Sequence, residues 1–223
     1  MYTQGSGNII RQQRQVSNFN RVSSKGSFHI TITQGNEQLL VIEAEDYILP
    51  YIQTEIINGE LLIDFINHNC SCNIQPTKQI KLSVTMKDVV ALKTSGSSKI
   101  HSASIATAQL NIETSGSSNV NINSLIAKTL VVVSKGSTAI NLAGQIEKQE
   151  IELKGSSEYL ASKLDSQTAI LDISGSGTAT ILAGDILDIT ISGSGKVNYY
   201  GSPHLTQKTS GSVKITNLGS SVA

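Results

Sequence analysis

Apolar and polar residues alternate along most of this chain, and the alternation restarts at regular intervals. From about residue 90 to residue 215, apolar residues stand at every second position for several residues at a time, with mostly polar residues between them. Alternation at a period of two is typical of a strand that buries one of its faces. Each such stretch ends in a Gly-Ser pair, after which a second alternating stretch begins. The pattern therefore predicts many short strands joined by tight corners.

The Gly-Ser pairs are spaced almost evenly. Their glycines are Gly96, Gly116, Gly136, Gly155, Gly175, Gly193 and Gly211. The intervals between them are 20, 20, 19, 20, 18 and 18 residues. A fixed period of this length indicates a repeat architecture, in which each unit buries its apolar face by stacking on its neighbours.

Apolar residues occupy the same positions relative to each of these glycines. Four residues before the glycine stand Leu92, Ile112, Val132, Ile151, Leu171 and Ile189, with Gln207 in the last repeat. Four residues after it stand Ile100, Val120, Ile140, Tyr159, Ala179, Val197 and Ile215, and a third apolar position is represented by Ile105, Leu125, Ile146 and Leu164. We therefore predict an all-β fold, a single-stranded parallel β-helix (β-solenoid) with about 20 residues per coil. We expect the first of these sets to form one buried file of stacked residues.

A serine follows the glycine in every repeat. These serines are Ser97, Ser117, Ser137, Ser156, Ser176, Ser194 and Ser212. Glycine supplies the positive φ that a sharp corner needs, and stacked serine hydroxyls could satisfy one another and nearby backbone groups. We expect an architectural ladder of hydroxyls, and a hydroxyl ridge that binds a ligand is the alternative.

The first 85 residues are less regular than the rest. Lys25-Gly26-Ser27 resembles one repeat corner, and Asn58-Gly59 between two alternating stretches predicts a β-hairpin. We expect residues 1–85 to form an irregular β region that caps the solenoid, residues 86–218 to form the regular coils, and residues 219–223 to be a C-terminal tail. Gln207 and Thr209 are polar replacements that suit a terminal coil whose edge faces water.

Composition narrows the class of protein. Seventeen basic residues balance seventeen acidic ones, so no overall field recruits nucleic acid. Aromatic residues make up 4% of the chain and tryptophan is absent, so Val, Ile, Leu and Ala must build the core. No apolar run reaches the 18 residues of a membrane-spanning helix. The chain begins Met1-Tyr2-Thr3-Gln4 and carries no signal peptide, which fits either a protein made without one or a chain that starts after its cleavage site.

Several segments, in this order, resemble one bacterial protein family. They are Gly5-Ser6-Gly7-Asn8, residues 16–20, 26–35, 52–55, 58–59 and 61–63, and the Ser-Gly-Ser corners from Ser95 onward. The family is the one described as "putative auto-transporter adhesin, head GIN domain", and the resemblance covers about residues 5–218. It implies a right-handed β-helix and an exported protein of the periplasm, outer membrane or cell surface, from which a preceding signal sequence has been removed. No catalytic residue comes with the resemblance.

Glu152 and Asp172 are the strongest candidates for catalytic carboxylates. They hold the same outward position in neighbouring repeats, with Glu113 in the same file and Val133 interrupting it. Cleavage of a glycosidic bond needs two carboxyl groups at a set separation. No histidine or arginine stands beside them in the repeat register, so a solvated strand face explains them better, and we predict no catalytic residue.

His68, Cys70 and Cys72 form the pattern His-x-Cys-x-Cys. These soft ligands could hold zinc or copper if a fourth came from elsewhere, but structural zinc sites usually have two residues between paired cysteines. A disulfide, local or intermolecular, and two free thiols remain open. We predict neither a metal nor another cofactor, and we expect the remaining histidines, His29, His101 and His204, at exposed strand or turn positions.

These observations predict a non-catalytic binding module of the cell envelope or cell surface, adhesin-like and not an enzyme. Its partner would be an unidentified surface glycan or protein and not nucleic acid. The alternatives are a carbohydrate-active β-helix enzyme (a polysaccharide hydrolase or lyase) and a purely structural spacer. A groove with clustered carboxylates and aromatic side chains would favour the enzyme, whereas a flat surface of Ser, Thr and Asn would favour the binding module.

Overall fold

The computed structural model describes residues 2–66 and 73–220, which form strands and one short 3-10 helix, Leu49–Tyr51, with no α-helix among the described residues. The strands of the first part are β1 (Tyr2–Gln4), β2 (Ile9–Gln15), β3 (Arg21–Gly26), β4 (Phe28–Gln34), β5 (Leu39–Glu45), β6 (Ile52–Ile57), β7 (Glu60–Phe65), β8 (Asn73–Gln75) and β9 (Ile80–Met86). The strands of the repeats are β10 (Ala91–Gly96), β11 (Lys99–Ser102), β12 (Ile105–Gly116), β13 (Asn119–Gly136), β14 (Ala139–Gly155), β15 (Glu158–Gly175), β16 (Thr178–Leu182), β17 (Ile186–Gly193), β18 (Lys196–Tyr200), β19 (His204–Gly211) and β20 (Lys214–Asn217).

The repeats form a parallel β-solenoid of about six coils, as the sequence predicted. Leu92 pairs with Ile112, Ile112 with Val132, and the same register continues through Ile151, Leu171 and Ile189 to Gln207. All the apolar members of this file are buried, with at most 3% of their surface exposed. The predicted buried file is therefore confirmed.

Two long sheets run along the solenoid and define two outer faces. The first face is the outward side of the strands that lead into the glycine corners, together with the hairpin strands β6 and β7 beside them. In order along the axis these strands are β6, β7, β3, β10, the later parts of β12 to β15, β17 and β19. The second face is the outward side of β2, β5, β9, β4, β11, the early parts of β13 to β15, β16, β18 and β20, which follow the corners. Because pairing is in register, each face presents files of side chains along the solenoid axis.

Each corner depends on glycine for two reasons. Gly96 has a φ of 102°, and a Cβ on it would lie 2.5 Å from the carbonyl oxygen of Gly26 in the adjacent coil. The backbone N–H of Ser97 donates to that same oxygen at 3.0 Å, and Ser117 repeats the contact on Gly96 at 2.8 Å. A side chain at the corner would therefore push neighbouring coils apart, besides straining the backbone.

The hydroxyls that fill the corners are not the predicted ones. Ser97 and the six equivalent serines are exposed. The backbone N–H groups of all of them except Ser212, rather than buried hydroxyls, connect the coils. The buried hydroxyls lie one residue later and two residues before the glycine: Ser24, Thr94, Ser98, Thr114, Ser118, Ser134, Thr138 and Ser157. Ser134 Oγ lies 2.8 Å from Ser157 Oγ, for example. The serines next to the glycines therefore form an exposed ridge, whereas their neighbours line the interior.

Later corners are filled by a different pair of residues. Ile173 and Ile191 are buried where the earlier coils have a threonine or serine, and Gly177 and Gly195 stand opposite them. A Cβ on Gly177 would lie 2.9 Å from Ile173 Cγ2, and one on Gly195 would lie 2.7 Å from Ile191 Cγ2. The second glycine of these Gly-Ser-Gly corners therefore makes room for isoleucine, and strands rather than helices follow both corners.

One buried polar network interrupts the aliphatic interior. The amide nitrogen of Gln149 donates to Ser166 Oγ at 2.8 Å, and Ser166 donates to the Leu182 carbonyl at 2.7 Å. The Tyr159 hydroxyl donates to Gln149 Oε1 at 2.8 Å, and burial raises the pKa of this phenol. Because each of these groups has a partner, the network can occupy the core without the cost of an unpaired polar atom.

The third short strand of each coil is shifted where the repeat shortens. Ile105 pairs with Leu125 as expected, but Leu125 pairs with Gly144, and Ile146 pairs with Ala127. Ile105, Leu125 and Ile146 are all buried. The coil ending at Gly155 is therefore one residue shorter between Leu142 and Gly144, just before this strand, opposite the register shift between Ile122 and Leu125.

The strands before β10, called the cap below, reach the first coil of the repeats by an indirect path. β3 and β4 form a coil directly under β10 and β11, with Gly26 stacked on Gly96. The chain then leaves this coil, and β7 and β9 return to pair with β3 and β4 from the other side. β5 and β2 extend the sheet antiparallel beyond β9, and the predicted hairpin joins β6 to β7, with positive φ at Asn58 and Gly59.

A buried carboxylate fastens the start of the chain to this cap. Glu45 is 1% exposed and accepts hydrogen bonds from Gly7 N at 2.7 Å, Thr77 N at 2.8 Å, Thr77 Oγ1 at 2.5 Å and Lys78 N at 3.2 Å. Burial by itself raises the pKa of Glu45, but these hydrogen bonds outweigh it and leave the pKa below its ordinary value. A Cβ on Gly5 would lie 2.0 Å from a Glu45 oxygen, which explains the glycine there.

Candidate functional site

The acidic file lies on the first face, where the sequence placed it. Glu152 pairs directly with Asp172, and Val133 separates Glu152 from Glu113. Although no histidine or arginine among the described residues stands beside this file, a lysine of the same strand is a basic partner. Lys154 Nζ lies 2.5 Å from Glu152 Oε1, and the pKa of Lys154 is raised by Glu152 and, to a smaller extent, by Asp172. Glu152 and Lys154 are two residues apart on β14, and side chains two apart in a strand point to the same side, so the two groups can pair.

The surroundings of Glu152 and Asp172 form an open, partly apolar groove of about 340 Å³. Val131, Val133 and Ile170 line it together with the two carboxylates. Both carboxylates project from one sheet and stand side by side, and one of them is neutralised by Lys154. Glycoside hydrolysis needs two carboxyl groups that flank the scissile bond, one of them with a raised pKa. The arrangement can contact a ligand, but it does not place an acid opposite a nucleophile.

A second groove of about 270 Å³ lies on the first face, near the cap. Lys93 stands at its centre, with its Nζ 3.7 Å from Glu60 Oε1 and 3.6 Å from Glu113 Oε1. Lys25 and Lys135 lie at the same groove with several serines. Its charges are therefore mixed, and of these lysines only Lys93 forms an ion pair with another described residue.

The second face carries fewer acidic side chains than the first. One file contains Thr31, His101, Asn121 and Asn141 on four successive strands. Leu160, which is 37% exposed, interrupts this file after Asn141, and Thr180 and Asn198 continue it on later coils. The face is the Ser/Thr/Asn surface that the sequence analysis associated with a binding module.

A basic cluster marks the cap end of the second face. Lys81, His29 and Lys99 lie next to one another on β9, β4 and β11. Gln79 Nε2 lies 2.5 Å from His29 Nε2, so the amide donates and the ring nitrogen accepts. The pKa of His29 is lowered, first by burial and then by the positive charges of Lys99 and Lys81.

The sequence predicted an exposed strand position for His29, but the structure leaves its side chain half-buried in a strand, and the sequence did not indicate this cluster. His101 is exposed on the neighbouring strand and His204 is exposed at the start of β19. Lys81, His29 and Lys99 are far apart in the chain and meet because β9 returns beside β4. No spacing in the sequence signals that meeting.

His68, Cys70 and Cys72 lie outside the described residues. Within residues 2–66 and 73–220, no group of three or more His, Cys, Asp or Glu side chains is arranged to hold a metal ion. The expectation that no metal binds at His68, Cys70 and Cys72 stays a prediction. In the same described parts of the chain, no helix has the length and apolar character required to cross a bilayer.

The chain matches one protein family and several solved structures. The model of the family described as "Putative auto-transporter adhesin, head GIN domain" matches residues 18–203. A crystal structure of a putative adhesin from Bacteroides fragilis is 24% identical, with a TM-score of 0.88 over 96% of this chain and 99% of that one. A putative lipid binding protein from Parabacteroides distasonis is 23% identical (TM-score 0.79, 98% and 100% covered), and a putative adhesin from Parabacteroides merdae is 20% identical (TM-score 0.76, 97% and 99% covered). No curated protein matches the chain. At these identities the solved structures show a shared fold.

Proposed function

Because the chain belongs to the family described as "Putative auto-transporter adhesin, head GIN domain", we propose that it is a non-catalytic binding module of the cell envelope or cell surface. In this role it acts outside the cytoplasm and holds a glycan or a protein on its second face. The observation that carries the proposal is that face itself, a continuous sheet from β2 to β20 with polar side chains in register.

The geometry of the second face suits binding of an extended partner. Strands in register repeat about every 4.8 Å, so amide and hydroxyl groups recur at that interval along the axis. Thr31, His101, Asn121 and Asn141 form such a row without an enclosed pocket among them. A flat row of donors and acceptors can contact successive units of one partner, and many weak contacts together give useful affinity.

The rival enzyme has less support from the same structure. Its candidate residues Glu152 and Asp172 lie side by side on an open sheet, and Lys154 pairs with Glu152. A polysaccharide hydrolase of this kind would require turnover that is lost in both Glu152→Gln and Asp172→Asn. We expect no reducing ends or unsaturated products above background from acidic and neutral polysaccharides.

A surface-binding assay tests the proposal. Fluorescently labelled full-length chain is incubated with intact bacterial and host cells and with a glycan array, and bound protein is measured. Asn121→Ala combined with Asn141→Ala removes two neighbouring amides from the second face and should lower binding several-fold. Ser174→Ala combined with Ser192→Ala is the matched control on neighbouring coils of the first face and should leave binding unchanged.

The outcomes separate the three readings of the molecule. Binding by the native chain that falls only in the second-face variant supports the proposal. Loss in the first-face control instead moves the binding surface to the other sheet. A native chain that binds no cell and no glycan contradicts the proposal and leaves the structural spacer, provided that thermal melts show all variants folded.

A further inference from the structure

The charged side chains at the cap end of the second face indicate the chemical class of its ligand. We propose, resting on the proposed function above, that Lys81, His29 and Lys99 bind the carboxylate or sulfate groups of an acidic polysaccharide that runs along this face. His29 contributes a further positive charge as the pH falls. The first face, where basic and acidic side chains are mixed, takes no part.

The three side chains form a row across adjacent strands. Lys81 pairs in register with His29, and His29 with Lys99, so their outward side chains are neighbours at the strand spacing of about 4.8 Å. The effect of Lys99 and Lys81 on the pKa of His29 reflects the same closeness. The charges of Lys81 and Lys99 on either side of His29 repel each other and an imidazolium between them unless an anion lies among them.

The lysines of this cluster are not neutralised within the described parts of the chain. No carboxylate there lies within ion-pair distance of Lys81 or Lys99, whereas Lys93, Lys148 and Lys154 each have such a partner. Along the same row, the next carboxylate on the coil side is Glu158, beyond Asn119 and Ala139. On the cap side Glu43 pairs in register with Lys81 and is the one acidic group beside the cluster.

A groove of about 310 Å³ opens on the cap side of the cluster. Ile9, Glu43, Lys78, Gln79 and Lys81 line it. Ile9 is 45% exposed and offers an apolar surface for the face of a sugar ring. The Glu43 carboxylate can accept hydrogen bonds from sugar hydroxyls, and the Gln79 amide can accept or donate them. This mixture suits a sugar that bears an anionic group better than a free inorganic anion, which needs no apolar contact.

The rest of the second face fits the neutral parts of the same chain. The row of Thr31, His101, Asn121 and Asn141 begins beside Lys99 and offers hydroxyl, imidazole and amide groups. A pyranose unit is about as long as the strand spacing, so successive sugars meet successive strands. Acidic units would therefore lie at the cap end, and the adjoining sugars along the Asn row.

His29 makes the site pH-dependent. Burial and the charges of Lys99 and Lys81 lower its pKa and disfavour the imidazolium in the free protein, in which Nε2 accepts a hydrogen bond from Gln79. A bound anion favours the imidazolium and must raise this pKa, and by linkage binding tightens as the pH falls through the His29 titration. The charged groups that face the ring are Lys81 on β9 and Lys99 on β11, so nothing on either neighbouring strand supplies this anion.

The test measures binding of the full chain to immobilised polygalacturonate, chondroitin sulfate and neutral dextran at low and at physiological salt. Native protein should prefer the acidic polymers, and Lys81→Gln combined with Lys99→Gln should weaken that binding about tenfold. Lys25→Gln combined with Lys135→Gln removes the same charge from the first face and should change binding less than about twofold. An NMR titration of His29 should show its pKa rising with ligand, and His29→Gln should abolish the pH dependence.

Several outcomes overturn this inference. Equal losses from the two pairs of lysine variants, equal binding to dextran, or an unchanged His29 pKa would each do so. Equal, cluster-dependent binding to duplex DNA or to vesicles of anionic phospholipid would show a general polyanion site instead of a glycan site. Binding to cells through the Asn row without any preference for acidic polymers would leave the proposed function standing and remove only the acidic ligand.

Discussion

The cap and the coils fill their interiors by different means. In the coils each buried position repeats, so Val132 lies between Ile112 and Ile151, residues of similar size from the same file. In the cap almost nothing repeats. Phe28 stacks on Phe65 with ring centroids 5.2 Å apart, and the buried Glu45 holds Gly7 and Thr77 through its carboxylate.

Because of this difference, the coils and the cap should accept different kinds of substitution. In a repeated file, a change at one position can be compensated by its neighbour, as the isoleucine and glycine pairs of the later corners compensate for the hydroxyl pairs of the earlier ones. In the cap, several segments depend on one side chain that has no equivalent elsewhere. The coils should therefore respond to volume and burial, and the cap should respond to charge and pH.

The largest effect is expected from Val132→Asp in the shared file of the coils. Val132 is fully buried, so the variant places an unpaired charge in the middle of the stack and should lose more than about 4 kcal/mol of unfolding free energy. Asp172→Asn, on the exposed side of the first face, should stay within about 0.5 kcal/mol. Thermal and chemical denaturation compare the two, and equal damage would mean that the faces are assigned wrongly.

Glu45→Gln tests the dependence of the cap on charge. The amide cannot accept all the hydrogen bonds of the carboxylate, so the variant should lose about 1–3 kcal/mol at neutral pH. Because the folded-state pKa of Glu45 is lowered, its contribution is present above the ordinary carboxyl pKa of about 4.3 and disappears as the pH falls through the folded-state value.

The unfolding free energies of the native chain and of Glu45→Gln, measured by thermal denaturation, should therefore converge as the pH is lowered from 7 to 3. Glu43→Gln removes the same charge from the outward side of the same strand and serves as the matched control. It should not reproduce the convergence. A gap between native chain and Glu45→Gln that stays constant with pH would contradict the role of the carboxylate.

Gly177→Ser tests the compensation inside the coils. Its Cβ would lie 2.9 Å from Ile173 Cγ2 and 3.4 Å from Leu153 Cβ, so overpacking should cost about 1–3 kcal/mol. Adding Ile173→Thr recreates the hydroxyl pair of the earlier corners and should recover part of that loss. A double-mutant cycle from denaturant unfolding measures the coupling, and simple additivity would show that the two positions fill their space independently.

The smallest effect is expected at Thr114, in the hydroxyl-lined part of the coils. Thr114 Oγ1 is buried and has no hydrogen-bond partner among the described residues. Thr114→Val keeps the shape, removes the unpaired group and should be neutral or up to about 1 kcal/mol stabilising. Ser134→Ala, which breaks the 2.8 Å contact with Ser157, should instead cost about 1 kcal/mol. Calorimetric midpoints distinguish these signs, and destabilisation by Thr114→Val would indicate a partner for that hydroxyl.

The coils could be predicted closely because their pattern is local and repeated. The buried file from Leu92 to Ile189 follows from alternation and period alone, as does the outward position of Glu152 and Asp172. The Lys154 partner was missed although it stands two residues away on the same strand. The division of the chain at residue 86 remains a proposal, since β3 and β4, which belong to the irregular part in sequence, stack as a coil under β10 and β11.

The solenoid follows from the sequence alone, because a period near 20 residues with glycine at each corner lets identical positions stack and bury one another. The hairpin at Asn58-Gly59 follows from the sequence too, since its turn geometry is encoded locally. Other features are visible only in the folded chain. The serines beside the glycines face outward, and Gln79 and Lys81 lie next to His29. In the cap, Gly7 and Thr77 enclose the Glu45 carboxylate. These contacts join segments far apart in the chain, and the path of the cap, which no local pattern encodes, brings them together.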